Sequence, residues 1–177
     1  MKIYLRPITL ADGASVVKWR NSENVRNHCF DKTPVTLESN EQFYRMFVET
    51  GKYKQYIVER IDEDFGVASY PVATVYLKDL DFVNNRCELC IFTSDDQEWN
   101  TESQEIAIKQ LLNIAFDEFD FHKVYTYVFK DNQDEIELMK KSGFTEESRL
   151  HKEALNKGKY VDVLRMCIIA DAGDDDV

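Results

Sequence analysis

With 177 residues, 44% of them apolar, the chain reads as one domain large enough to bury a core without disulfide or metal staples. Its net charge of −11 argues against general nucleic-acid binding, which requires a basic footprint, and mildly favours a cationic substrate. There is no signal-peptide pattern and no apolar run near the ~18 residues of a membrane span, so neither nucleic acid nor membrane is an expected partner and the expected location is cytoplasmic.

Lys2 to Ile8 reads as an opening strand ended by Pro7. Thr9 then caps a helix, with Asp12 three residues on and Leu10, Ala14 and Val17 on its inner face. Trp19-Arg20-Asn21 closes that helix. Ser39 to Gln42 reads as a capping box for a second helix that carries Phe43, Met46 and Phe47 inward. Tyr53 to Arg60 and Pro71 to Lys78 are strands, joined by an acidic turn with Asp62, Glu63, Asp64 and Gly66. Asp79 to Asn85 is a further turn.

Arg86 to Phe129 is the stretch around which the rest is organised. Arg86 to Thr93 is apolar on both faces, as in a central strand, with Cys87, Leu89 and Ile91 pointing one way and Glu88, Cys90 and Phe92 the other. After the polar run 94–100, Ile108, Leu111, Leu112, Ala115 and Phe119 make one face of an amphipathic helix. His122 to Phe129 is β-branched and aromatic, a second strand. A strand, helix and strand of these lengths form a right-handed parallel crossover, and ligands gather beyond the first strand against the helix N-terminus. Function is therefore expected around residues 93–105.

Asn132 opens a short helix with Ile136 and Met139 inward and Gly143 at its end. Phe144 begins a strand toward Glu153, Asn156-Lys157-Gly158 turns the chain, and Tyr160 to Ile169 is a long closing strand. The expected fold is a single α/β (α+β) domain over 1–169, a mixed sheet with helices on both faces, followed by an acidic disordered tail over 170–177. The exposed edge of the final strand suits a homodimer. Cys29, Cys87, Cys90 and Cys167 are scattered. The C-x-x-C at 87–90 places its thiols on opposite faces of a strand, which suits structural cysteines in a reducing compartment. No metal-ligand spacing and no Ser/His/Asp set stands out, so no metal is expected.

Six strings, LRPITLADG (5–13), WRNSENVR (19–26), RCELCIF (86–92), HKVYTYVFKDNQ (122–133), SGFTEESRLHKEA (142–154) and GKYVDVLRMCI (158–168), together resemble the GNAT superfamily of acyl-CoA N-acyltransferases across nearly the whole chain. The resemblance is to the branch of ribosomal-protein N-terminal, spermidine and amino-sugar acetyltransferases. It implies a mostly antiparallel sheet whose central parallel pair is splayed, with the pantetheine arm of acetyl-CoA in the gap, bonded to main chain around Phe92 and Thr93. It implies a pyrophosphate on the helix N-terminus, here Asn100, Thr101, Glu102, Ser103 and Gln104, and a cofactor contact and catalytic position at Asn132. Glu88 takes the place of the base or amine contact, and Trp19 and Arg20 the acceptor pocket. The acceptor implied is a small-molecule primary amine, such as an amino sugar or polyamine, or a protein N-terminus.

This chain departs from the family in two places. Trp99 to Glu105 lacks the two glycines of the family's phosphate loop, and Thr101-x-x-Gln104 is itself a capping box that competes for the helix's free N–H groups. Asp95, Asp96, Glu98, Glu102 and Glu105 add negative charge there, and Met139 stands where the family's Tyr protonates the leaving thiolate. The rival expectation is accordingly a GNAT-fold protein that has lost catalysis and binds a ligand or partner. The competing readings are a strand Glu paired with Arg86 or another basic neighbour for Glu88, a plain cap for Asn132, and a packing residue for Trp19.

Overall fold

The first strand, β1 (Lys2–Pro7), stops where Pro7 withdraws its N–H, and Thr9 with Asp12 closes a capping box over a 3₁₀ turn, Leu10–Asp12. Helix α1 (Gly13–Asn21) follows and buries Gly13, Val16 and Trp19. The inner face is thus one residue earlier than the expected Ala14 and Val17, because the 3₁₀ turn rotates the helix that continues from it. A short α2 (Glu23–Asn27), absent from the expected order, is capped by Ser22 through the Val25 N–H. Helix α3 (Leu37–Phe43) begins three residues earlier than expected, because Thr36 and Ser39 form the capping box. It widens into a π turn over Tyr44–Val48, leaving Met46 outward.

The computed structural model describes residues 2–62, 68–92, 94 and 99–170; most of the acidic turn, Thr93, Asp95, Asp96, Glu98 and the tail beyond Ala170 lie outside the described residues. The remaining elements are β2 (Lys54–Asp62), β3 (Ala68–Asp81), β4 (Arg86–Phe92), α4 (Thr101–Asn113, then a π turn Ile114–Glu118), β5 (Lys123–Phe129), α5 (Gln133–Lys141), β6 (Thr145–Asn156) and β7 (Lys159–Ile169). They form one seven-stranded sheet in the order β1-β2-β3-β4-β5-β7-β6. Every neighbouring pair is antiparallel except β4 and β5. The final strand is not an edge: β7 sits between β5 and β6, and the edges are β6 and β1.

Among the described residues, the two largest of three apolar clusters follow from strand alternation, the third being Phe129, Ala154 and Val163. On one face, Val58, Val75, Leu77, Cys87 and Leu89 pack under Ile108, Leu111, Leu112 and Ala115 of α4 and Ile136 and Met139 of α5. Gln110 of α4 reaches the Ile3 carbonyl at 2.9 Å, anchoring that helix to the far edge. On the other face, Ile8, Val16, Trp19 and Ile57 pack together under Tyr44 and Val48.

Candidate active site

β4 and β5 are hydrogen-bonded through Arg86/Lys123, Cys87/Val124 and Glu88/Tyr125, and there the pairing ends. β4 continues to Phe92 paired only with β3, while β5 turns toward β7 and stays with it to Phe129. The two strands therefore part after Glu88 and Tyr125, and the β5-facing backbone of Leu89 to Phe92 lines a gap. Such an edge pairs readily with an extended polar chain. This fits the amide-bearing pantetheine arm of CoA, with Phe92 at the mouth of the gap; Thr93 lies outside the described residues.

Glu88 stands on the last rung, on the face opposite α4, and is 6% exposed. Burial pushes its carboxyl above the ordinary range, while Lys78 and a hydrogen bond from Cys90 partly offset the effect. Lys78 Nζ lies 3.5 Å from Oε2, and Cys90 Sγ donates to Oε1 at 3.3 Å. Glu88 is thus a paired strand glutamate whose basic neighbour is Lys78; Arg86 pairs with Asp81 at 3.2 Å. Beside Glu88, burial first and then Asp79 and Glu88 push the Tyr125 phenol up to about 12. The Arg165 guanidinium stacks 4.1 Å from that ring's centroid.

On this face an open cleft of about 880 Å³ approaches the amino ends of β4 and β5, lined by Phe47, Tyr53, Asp79, Asp81, Phe82 and Tyr125 among others. Asp79 and Asp81, expected only as turn residues, line it. The aromatic walls come from Phe47 and Tyr53, whose rings meet at 5.4 Å. The sheet gap and the cleft meet at Tyr125, the partner of Glu88 on the last rung.

At the start of α4 the cap is Asn100, not Thr101. Asn100 Oδ1 accepts the Ser103 N–H at 3.0 Å, and its carbonyl accepts the Gln104 N–H at 3.0 Å. Gln104 turns back to the Trp99 carbonyl at 2.9 Å. The expected capping box shifts one residue because Asn has the stronger cap preference. Glu102 is exposed and Ser103 buried, and two N–H groups of the first turn are already held by the chain itself.

Asn132 precedes α5 without capping it by its side chain; instead its amide donates to Glu135 Oε2 at 2.6 Å. Met139 is fully buried in the core against α4. Trp19 is 6% exposed and packs with Ile8, Val16 and Ile57, as its structural reading expects. Arg20, its neighbour, does reach the gap: its guanidinium lies 5.6 Å over the Phe92 ring and donates to the Asp31 carbonyl. Glu135 was missed in the sequence. The signal was an acid four residues before Met139, on the stripe that Ile136 and Met139 otherwise keep apolar.

Residues 2–145 match the family profile of the Acetyltransferase (GNAT) domain. The spermidine N(1)-acetyltransferase of Vibrio cholerae is 21% identical over 168 residues, covering 95% of this chain and 93% of the relative. That of Escherichia coli is 25% identical over 166 residues, covering 94% and 85%. A crystal structure of the Vibrio cholerae enzyme in complex with CoA and spermine superposes with a TM-score of 0.85 at 22% identity, covering 94% of this chain and 95% of that one. A dodecameric form of the same enzyme gives 0.77 at 21% identity, covering 94% and 93%.

Proposed function

The chain belongs to the Acetyltransferase (GNAT) domain family, and from that premise we propose that its acceptor is a polyamine, held in the aromatic-walled cleft and deprotonated at Glu88. The reaction is transfer of acetyl from acetyl-CoA to a primary amine. Acetyl-CoA supplies the acetyl group as a thioester, which a neutral amine, and not an ammonium, can attack.

One observation carries the reading: Glu88 stands on the last rung before the sheet gap, paired with Tyr125, which lines the cleft. A polyamine is an extended chain of cations with apolar spacers. Asp79 supplies a carboxylate to a cation there, Asp81 being paired with Arg86, and the rings of Phe47, Tyr53 and Tyr125 suit the methylenes and favour ammonium groups over their faces. Glu88, raised by burial, takes the proton from the terminal ammonium, directly or through a water. Phe92 and the β4 edge would receive the pantetheine arm, Asn100 to Gln104 the diphosphate, and Asn132 a further contact to CoA. The two relatives described above are spermidine N(1)-acetyltransferases, so a polyamine takes precedence over a protein N-terminus or amino sugar.

A homo-oligomer belongs to the same reading, supported by the open edge of β6 with Leu155 exposed beside it and by the dodecameric relative. So does a cytoplasmic location, supported by four free cysteines. The test is product analysis by mass spectrometry with acetyl-CoA and, separately, spermidine, spermine, glucosamine and a short peptide. Acetylation of the polyamines, reduced by roughly 10²-fold or more in Glu88→Gln, is expected. Preference for the sugar or peptide, or a Glu88→Gln rate within about twofold of wild type, would overturn it.

A further inference from the structure

The two carboxylate oxygens of Glu88 are held differently by the sheet. Lys78, directly opposite on β3, lies 3.5 Å from Oε2, whereas Cys90, two residues on along β4, donates its thiol to Oε1 at 3.3 Å. One oxygen is thus drawn across the sheet toward β3, and the other along β4 toward its carboxyl end. The β4–β5 pairing stops at Glu88 and Tyr125. On the Glu88 face, Cys90 is the first residue of β4 beyond that last rung. Its thiol therefore stands where the gap begins.

The thiol is itself constrained. Tyr76 faces Cys90 directly across β3 and comes within hydrogen-bonding reach of its sulfur. The Tyr76 ring is flanked by Tyr53, with centroids 5.7 Å apart, and by Phe92, at 5.3 Å. Burial raises the phenol and the thiol well above their ordinary values, so both keep their protons through the neutral range. The hydroxyl can then donate to sulfur while the thiol donates to Oε1, a chain in which each bond polarises the next.

We propose that Cys90 is a positioning residue for the base, holding Oε1 of Glu88 at the start of the gap as the oxygen that takes the acceptor's proton. This rests on the acetyltransferase reading above, with Glu88 as base. A neutral thiol is a weak donor, so the oxygen it binds keeps more basicity than one facing an ammonium. Oε2, by contrast, is turned to Lys78 and away from β5. In the transfer the acceptor's N–H bond breaks, its electron pair stays on nitrogen, and the proton forms an O–H bond at Oε1.

Besides Lys78 and Cys90, the groups that face Glu88 are Asp79 of β3, Tyr53 before β2 and Tyr125 of β5, with Arg165 of β7 over that last ring. Burial raises both phenols, so charge near neutrality comes from Lys78, Asp79 and Arg165. All of these residues are kept in the variants that test the role.

The experiment compares wild type with Cys90→Ala, which removes the donor, and Cys90→Ser, which keeps one. Carbon-detected NMR of glutamate-labelled protein without ligand reads Glu88 directly, its signal identified by its loss in Glu88→Gln. Glu88 should titrate roughly 0.5–1 pH unit higher in Cys90→Ala, and at or below the wild-type value in Cys90→Ser. With spermidine, or whichever amine wild type acetylates, the acid limb of kcat/KM should move up by the same amount in Cys90→Ala. Its plateau kcat should fall about tenfold, with the KM for acetyl-CoA within about threefold, and Cys90→Ser should restore most of the rate. An unmoved Glu88 titration, a plateau kcat within about twofold of wild type in Cys90→Ala, or equal losses in both variants overturns the role of Cys90. A wild type that acetylates no amine, or an acid limb that stays while the Glu88 titration moves, fails Glu88 as the base and this role with it. The two failures are distinct.

Discussion

Lys78 and Glu88 face each other directly across β3 and β4, and their charged groups lie 3.5 Å apart. The pair is internal to the sheet, yet each member is pulled two ways. Burial disfavours both charges, and each favours the charge of the other. For Lys78 the sum of Cys90, Glu88, Tyr53 and Asp79 outweighs burial and raises it; for Glu88 burial prevails over Lys78 and Cys90. Lys78 thus restrains a carboxyl that burial alone would carry higher.

Lys78→Met is therefore expected to move the acid limb of the rate to higher pH. A base works only as its carboxylate, so rate is lost as pH falls through its pKa, and without Lys78 that pKa rises further. A kcat/KM profile against pH for both proteins checks this. An unmoved limb would mean that Glu88 is not the group being titrated.

A second cluster holds the helix that brings Arg20 to the gap. The Arg6 guanidinium grips both carboxylate oxygens of Asp12, at 2.7 and 2.9 Å, and reaches Glu59 at 2.8 Å. Burial opposes the Asp12 charge, but bonds from Arg6 and Thr9 outweigh it and hold the carboxyl below its ordinary range. Removing Arg6 leaves two nearly buried carboxylates without a cation. Arg6→Ala should cost about 3 kcal/mol, the lower end for a broken buried pair because Arg6 itself is partly exposed. A depressed carboxyl stabilises the fold above its unfolded pKa and loses that contribution as pH falls through the folded one. The gap between variant and wild type should narrow in acid, and urea melts at pH 7 and pH 3 measure it. A loss at pH 7 under about 0.5 kcal/mol would reduce the triad to a surface pair.

Much of this arrangement was legible in the sequence because it rests on short-range rules. Alternation in 86–92 and the 3-4 spacing in 108–115 place β4 and α4 correctly. Alternation also places Glu88 and Cys90 on the face away from Cys87. The errors come from long-range or competing choices. Asn100 outcompetes Thr101 as cap, and Thr36 outcompetes Ser39, where several cap formers adjoin. That β7 inserts between β5 and β6 is a pairing across many residues, which a strand's own composition does not encode. Likewise Asp79 and Asp81 look like turn residues until β3 is seen to run on past Lys78 and set them in the cleft.

Glu135 makes a prediction about the protein without any ligand. Its carboxyl is raised in the folded chain to about 7, so folding stability is greatest below the unfolded pKa and falls as pH rises toward 7. The proton is held up to ~3 kcal/mol more tightly than in the unfolded chain, at 1.36 kcal/mol per pH unit. Glu135→Gln cannot titrate, so it should gain on wild type between pH 5 and pH 8. Chemical denaturation at the two pH values gives the difference. If both proteins change equally, Glu135 does not titrate in that window.

The first turn of α4 offers the sharpest test of how this chain holds the diphosphate without the family's glycines. Asn100 Oδ1 occupies the Ser103 N–H, one of the donors that a helix N-terminus would otherwise turn toward an anion. Asn100→Gly vacates that donor, and glycine is itself a tolerated cap, so the fold should lose only a few tenths of a kcal/mol. A charge-assisted bond from a freed N–H to a phosphate oxygen is worth ~1.5–3 kcal/mol before its competitors are counted. Against a residual charge such as the exposed Glu102 nearby, a net gain of about 1 kcal/mol, roughly fivefold in CoA affinity, is expected. The gain should shrink as salt is raised, because the site is open to solvent. Calorimetry with CoA at two ionic strengths reads both effects. Weaker binding by the glycine variant would make the Asn100 side chain a direct contact to CoA, and unchanged binding would place the diphosphate away from this turn.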